Sequence, residues 1–134
     1  MRLEMTKKTD LALRILRYLE CTTGTVSGSS LAAELDVTTY YLPQIVAPLA
    51  RAGWVTATRG PHGGYRLVSS LADISVLDVV QAIEPMETDR CVLRGAPCPT
   101  QEQCAIHTSW AKARDALMEE LGAASLDEAL APCS

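Results

Sequence analysis

Apolar residues recur at helical spacing near the start of the chain, where Leu11, Ile15 and Leu19 share one face with Ala12 and Leu16. This spacing predicts a first helix with Thr9 as its N-cap and Asp10 in the first turn, where the helix dipole favours an anion. Gly24 lies beyond its end. A short second helix is expected over 28–35, with Leu31, Ala32 and Leu35 facing inward. Asp36-Val37-Thr38-Thr39 then reads as a turn, and Leu42, Ile45, Val46 and Leu49 set an i, i+3, i+4, i+7 stripe over 40–52. With Thr39 as N-cap, Pro43 removes only an early helical hydrogen bond. Pro48 lies deeper and is expected to kink the helix or tighten its last turn. Two short helices joined by a tight turn with one apolar residue, Val37, form a helix-turn-helix pattern.

The pattern then changes. Residues 53–59 read as a strand, Gly60-Pro61-His62-Gly63-Gly64 as a turn, and 65–68 as the returning strand. A hairpin directly after a helix-turn-helix is a wing. Asp73 precedes a further helical segment over 74–83, and 85–103 is irregular. From Cys104 or Ala105 to Leu121, the positions Ile106, Trp110, Ala113, Leu117 and Leu121 make one apolar stripe. Ser125 and Glu128 have the spacing of a capping box that starts a last short turn of helix.

The fold expected is mainly α with a small β-hairpin: a winged helix-turn-helix over 1–83, a cysteine-bearing loop over 84–104, and a long helix with its tail over 105–134. That helix either folds back on the winged domain or pairs with a second copy. Pairing is favoured, because a palindromic DNA site calls for two copies of so small a reader.

Composition sharpens this reading at two points. The net charge of −4 is unevenly spread. Residues 1–66 hold eight Lys and Arg against five acids, whereas 67–134 hold four against eleven. Phosphate attraction follows the local field, so the first half is suited to a double-stranded DNA operator and the second is not. The hydrophobic content of 48% supports a core, yet there is no Phe, so Leu, Val, Ile and Ala must supply it. No apolar run reaches the roughly 20 residues of a membrane span, and the charged N-terminus lacks the apolar stretch of a signal peptide. A cytoplasmic location is expected. Thiols stay reduced there, which favours metal ligands or redox sensors over structural disulfides.

At the helix-turn-helix, Thr38, Thr39, Tyr40, Tyr41 and Gln44 are the candidates for the major groove, and Gln44 is suited to a bidentate contact with adenine. The wing adds Arg59, Pro61, His62 and Gly63 at a glycine-rich tip able to approach a minor groove or phosphates. Each residue taken alone also fits ordinary surface, and Tyr41 fits partial core.

The densest chemistry is the run CVLRGAPCPTQEQCAIH, which places Cys91, Cys98, Cys104 and His107 in a C-x₆-C-x₅-C-x₂-H spacing. Three cysteines beside Gly95, Pro97 and Pro99 are poor core residues. The run also lacks the C-x₂-C knuckle typical of structural zinc. Broad spacing in a loop suits thiolates splayed around an iron–sulfur cluster, while zinc and a thiol redox switch remain open. Cys21 and Cys133 read as incidental. A nucleophile–base pair made of Cys104 and His107 lacks any oxyanion-hole element, so the chain is not read as an enzyme.

MRLEMTKKTDLALR, the helix-turn-helix, the wing ATRGPHGGYRL, the segment ISVLDVVQAIE and the three-cysteine loop together resemble the cluster-sensing winged-helix regulators of the Rrf family. The resemblance covers nearly the whole chain. It implies a homodimer whose long helices pair, and a 2Fe-2S or 4Fe-4S iron–sulfur cluster that controls operator affinity. By the same resemblance Cys91, Cys98 and Cys104 are the thiolate ligands. The fourth is His107 in one branch of the family and Asp10 of the partner subunit in another; His107 is favoured. The first gap is one residue longer than is common in the family.

Overall fold

The computed structural model describes residues 2–85, 93 and 105–133. Its elements are α1 (Lys7–Cys21), α2 (Gly28–Leu35), α3 (Leu42–Arg51), β1 (Val55–Thr58), β2 (Gly64–Leu67), a 3₁₀ turn (Leu71–Asp73), α4 (Val76–Ile83), α5 (His107–Ala123) and α6 (Leu126–Ala129). The mainly helical fold with one antiparallel hairpin is the one the hydrophobic pattern predicts.

α1 begins a turn earlier than expected. Thr6, in extended backbone, is its N-cap and accepts from the Thr9 amide at 3.3 Å. Thr9 is instead fully buried inside the first turn, and its hydroxyl donates to Glu84 Oε2 at 3.3 Å. The Thr6 hydroxyl donates to the same carboxylate oxygen. One acid at the end of α4 therefore satisfies both hydroxyls at the start of α1.

Asp36 ends α2 in the left-handed conformation (φ 54°). The Asp36 amide donates to the Ala33 carbonyl and the Val37 amide to the Ala32 carbonyl, so both bonds of a Schellman cap are present. α3 ends the same way, with Gly53 (φ 84°) donating to Ala50 and Trp54 to Leu49. That cap turns the chain from α3 into the hairpin within a few residues. Pro48 sits inside α3, buried, and the helix runs through it to Arg51.

Among the described residues, twenty buried apolar side chains form one core. α1 supplies Leu11, Ala12, Ile15, Leu16 and Leu19, α2 supplies Leu31, Ala32 and Leu35, and α3 supplies Leu42, Ile45, Val46 and Leu49. Val79 and Val80 of α4 and Leu126 of α6 close it from the other side. Leu126 is fully buried because backbone bonds dock its segment: Val76 donates to Ala124 at 2.9 Å and Leu126 to Ile74 at 2.8 Å. Burying a Leu side chain stabilises by about 1.5–3 kcal/mol, so α6 is bound to the core.

α5 behaves differently. None of its residues is buried, although Leu121 packs against the core edge. Ile106 and Leu117 of the expected stripe are 39% and 45% exposed.

Cys21 and Cys133, read from the sequence as incidental, form a disulfide across 112 positions. The expectation that disulfides are disfavoured is corrected with them. Docking of Leu126 carries the tail back over the end of α1, and the two Cα atoms come within 5.6 Å, inside the range of about 4.4–6.8 Å that a disulfide spans.

Candidate DNA-binding face and cysteine site

The recognition segment is built around a missing amide. Thr38 Oγ1 accepts from the Tyr41 amide at 3.0 Å, and the Thr38 carbonyl accepts from Leu42 at 3.2 Å. Thr38 thus closes the turn before α3, and the N-cap position of α3 itself is Tyr41, without a side-chain cap bond, rather than the expected Thr39. Pro43 has no N–H to give the Thr39 carbonyl, so 39–41 form a turn and regular helix starts at Leu42. This arrangement leaves Thr38, Thr39 and Gln44 exposed and Tyr40 84% exposed. Tyr41 is half-buried against the core, consistent with its dual reading.

The wing pairs Val55 with Leu67, Thr56 with Arg66, Ala57 with Tyr65 and Thr58 with Gly64. Arg59, Pro61 and His62 are exposed at its tip. Gly63 has a geometric task there. Its amide donates to the Gly60 carbonyl at 2.9 Å, and a Cβ would stand 2.1 Å from the Thr58 carbonyl oxygen. The hairpin is also anchored from behind, which the sequence pattern did not reveal. Val26, in the connection between α1 and α2, exchanges two backbone bonds with Tyr65 at 2.8 and 2.7 Å. A single bridged pair leaves no periodic trace in sequence. Gly64 alone permits this approach, because at φ 149° a Cβ would lie 2.1 Å from the Val26 carbonyl oxygen.

Arg51, Arg59 and Arg66 form no ion pair with another described residue, so their charge is available to phosphates. Near the start of α1, Arg2 lies 3.7 Å from Glu4 and Lys7 3.8 Å from Asp10, both exposed pairs of little energetic weight.

Cys91, Cys98 and Cys104 lie outside the described residues. His107 is the first residue of α5 and is half-buried. Asp10 is in the first turn of α1 and exposed. Among the described residues no group of three or more His, Cys, Asp or Glu is gathered for a metal. The donor set itself, three thiols and an imidazole, has the soft and borderline chemistry that iron–sulfur clusters and zinc both accept. No described helix is long and apolar enough to cross a membrane.

A helix-turn-helix with an exposed second-helix start, followed at once by a hairpin wing, defines a winged-helix DNA-binding transcriptional regulator. Residues 5–132 match the model of the Rrf2 family, described as iron-dependent transcriptional regulators, and the chain belongs to that family. It is 34% identical over 110 residues to protein rrf2 of Nitratidesulfovibrio vulgaris (strain Hildenborough), covering 81% of this chain and 73% of that protein. It is 41% identical over 71 residues to the regulator IscR of Vibrio atlanticus, covering 52% of this chain and 40% of that one. Among solved structures it is similar to CymR, the global cysteine regulator of B. subtilis, with a TM-score of 0.74, 29% identity and 95% of each chain covered. The family and these named regulators act in transcription, and the chain is a regulator rather than an enzyme.

Proposed function

We propose that the chain is a cytoplasmic homodimeric repressor whose affinity for a palindromic operator is set by an iron–sulfur cluster on Cys91, Cys98, Cys104 and His107. Asp10 of the partner subunit is the alternative fourth ligand. The observation that carries this reading is the placement of His107. It opens α5 three residues after Cys104, half-buried, so the donor run ends on a fixed helix start. When bound, the cluster would supply a centre sensitive to oxidants, nitric oxide and iron supply.

The chain's own residues supply the rest. Thr38, Thr39, Tyr40, Tyr41 and Gln44 face the major groove, and Arg59, Pro61, His62 and Gly63 form the wing contact. The face of α5 that carries Leu117, together with the exposed Leu3 and Met5, is covered by the second copy. Two recognition helices must then meet half-sites about one helical turn, roughly 34 Å, apart. A small change in their relative placement therefore weakens binding.

Anaerobic purification tests the cofactor. Brown protein with iron and acid-labile sulfide is expected, and Cys98→Ala should lose the visible absorption while keeping its oligomeric state. Colourless protein with stoichiometric zinc overturns the reading. His107→Ala should perturb the spectrum and Asp10→Ala should not; the reverse assigns the fourth ligand to Asp10 of the partner subunit. Leu117→Glu should shift the sedimentation mass from dimer to monomer, and an unchanged mass removes α5 from the dimer interface. A second reading is a cluster-free thiol regulator, favoured by the likeness to CymR, whose description names cysteine regulation. Iron content separates the two.

A further inference from the structure

We infer that Cys21 and Cys133 form a second redox site, separate from the cysteine loop, that docks and releases the C-terminal tail. The inference does not rest on the cluster.

Three observations carry it. The first is preset proximity that does not depend on the sulfur–sulfur bond. Leu126 is fully buried, and Arg17 Nη2 donates to the Leu130 carbonyl at 3.0 Å. Only two residues, Ala131 and Pro132, separate that anchored point from Cys133. The two thiols therefore stay within reach of each other when reduced, and closure is an intramolecular step with a high effective concentration.

The second observation is that the bond holds something. Among the described residues, no hydrogen bond attaches Ala131, Pro132 or Cys133 to the fold, so the disulfide fixes this stretch. Held in place, Leu130–Cys133 makes one wall of a pocket of about 520 Å³. The facing walls are α1, with Arg14, Tyr18 and Cys21, and the last turn of α2, with Glu34. Opening the bond detaches that wall from the end of α1.

The third is access. Cys21 and Cys133 are both exposed, so small oxidants and reductants can reach the sulfurs.

The chemistry closes with a hydroperoxide and reopens with a dithiol. One thiolate attacks the peroxide O–O bond and becomes a sulfenic acid, and hydroxide leaves and takes up a proton as water. The second thiolate displaces the sulfenic oxygen as another water, forming the S–S bond. Two thiols and hydrogen peroxide thus give one disulfide and two waters. A dithiol reductant reverses the bond by thiol–disulfide exchange and is itself oxidised to its disulfide.

The test uses the full chain, reduced with dithiothreitol, desalted anaerobically and titrated with hydrogen peroxide. The expected product is a linked peptide pair containing Cys21 and Cys133, 2 Da lighter than the sum of the reduced peptides, and lost again on addition of dithiothreitol. Carboxypeptidase should trim the tail of the reduced protein at least several-fold faster than that of the oxidised protein. In Cys133→Ser and Cys21→Ser the rate should be fast in both conditions. A Cys21 thiol that remains alkylatable after peroxide, or that pairs with Cys91, Cys98 or Cys104, overturns the inference. So does a tail trimmed at the same rate in both states of the wild-type chain. Iron content measured on the same samples reports the cluster independently.

Discussion

Replacing Gly64 by Ala should strip the wing of its rear anchor. A Cβ there would stand 2.1 Å from the Val26 carbonyl oxygen and 2.9 Å from Ser27 Cα, both backbone atoms that cannot swing aside as a side chain would. The connection between α1 and α2 must then part from β2, and the two bonds joining Val26 and Tyr65 go with it. Each net backbone hydrogen bond contributes about 0.5–1.5 kcal/mol. Holding a non-glycine residue in an unfavourable backbone conformation costs about 1–3 kcal/mol. Together these place the loss at about 4 kcal/mol, a large share of the roughly 5–15 kcal/mol of a small domain. At an unfolding entropy of about 2.1 cal/mol/K per residue, this lowers the melting temperature by roughly 14 °C. Gly60→Ala is the control. Its φ is also positive, at 106°, but nothing lies within 4 Å of the added Cβ, so it should cost only about 1–2 kcal/mol. Urea unfolding of both variants, run under identical redox conditions, isolates the collision from the φ penalty. If Gly64→Ala fell within about 1 kcal/mol of Gly60→Ala, the close approach to Val26 would not hold the wing.

The remaining predictions probe the core, a helix end and the DNA face. Leu126→Ala removes a fully buried side chain that joins α6 to the core and should cost about 2–5 kcal/mol in urea unfolding; a loss below 1 kcal/mol would mean that α6 is not part of the cooperative unit. Asp36→Gly relieves a left-handed backbone at the end of α2 and should raise stability by roughly 0.5–1 kcal/mol, measured by thermal unfolding, whereas destabilisation would point to a role for the carboxylate. Arg59→Ala should weaken binding to a duplex selected from a random pool and reduce the salt dependence by about one phosphate contact. An unchanged slope removes the wing tip from the interface.

Much of this fold was legible because its elements are amphipathic. The α1, α2 and α3 stripes at Leu11–Leu19, Leu31–Leu35 and Leu42–Leu49 are the same residues that the structure buries. Boundaries were less legible where a competing polar group decided them. Thr6 and Thr9 are both plausible caps, and the choice falls to Thr6 because Thr9 is turned inward against Glu84, a partner 75 positions away. Thr39 does not cap α3 either: without a Pro43 amide the helix starts at Leu42, and Thr38 closes the turn before it. The Cys21–Cys133 bond could not be read locally, since it follows from the burial of Leu126 seven residues before the end of the joined segment. Of the residues proposed for DNA contact, Thr38, Thr39, Tyr40, Gln44, Arg59, Pro61 and His62 are exposed. The three loop cysteines, the strongest chemical signal in the sequence, are the part that the described residues leave untouched.

In the function proposed above, α4 is the element that would carry a change at the cysteine segment to the rest of the molecule. In sequence the cysteine segment lies between α4 and α5, and α4 is bonded at both of its ends. At its start, Ser75 and Asp78 close a capping box, and Val76 donates to Ala124 in the connection from α5 to α6. At its end, Glu84 takes both Thr hydroxyls that open α1. α1 in turn packs against α2 and α3 and brings Leu11, Ile15 and Leu16 to the shared core. A force at residue 85 would therefore reach the Glu84 carboxylate and the cap of α1, and also α3, which packs directly against α4. Close-packed side chains resist gradual deformation, so such a force is expected to shift α1 and α4 as units. Two hydroxyl–carboxylate bonds are a weak enough joint to yield and a specific enough one to re-form, which suits a regulator that must return to its starting state.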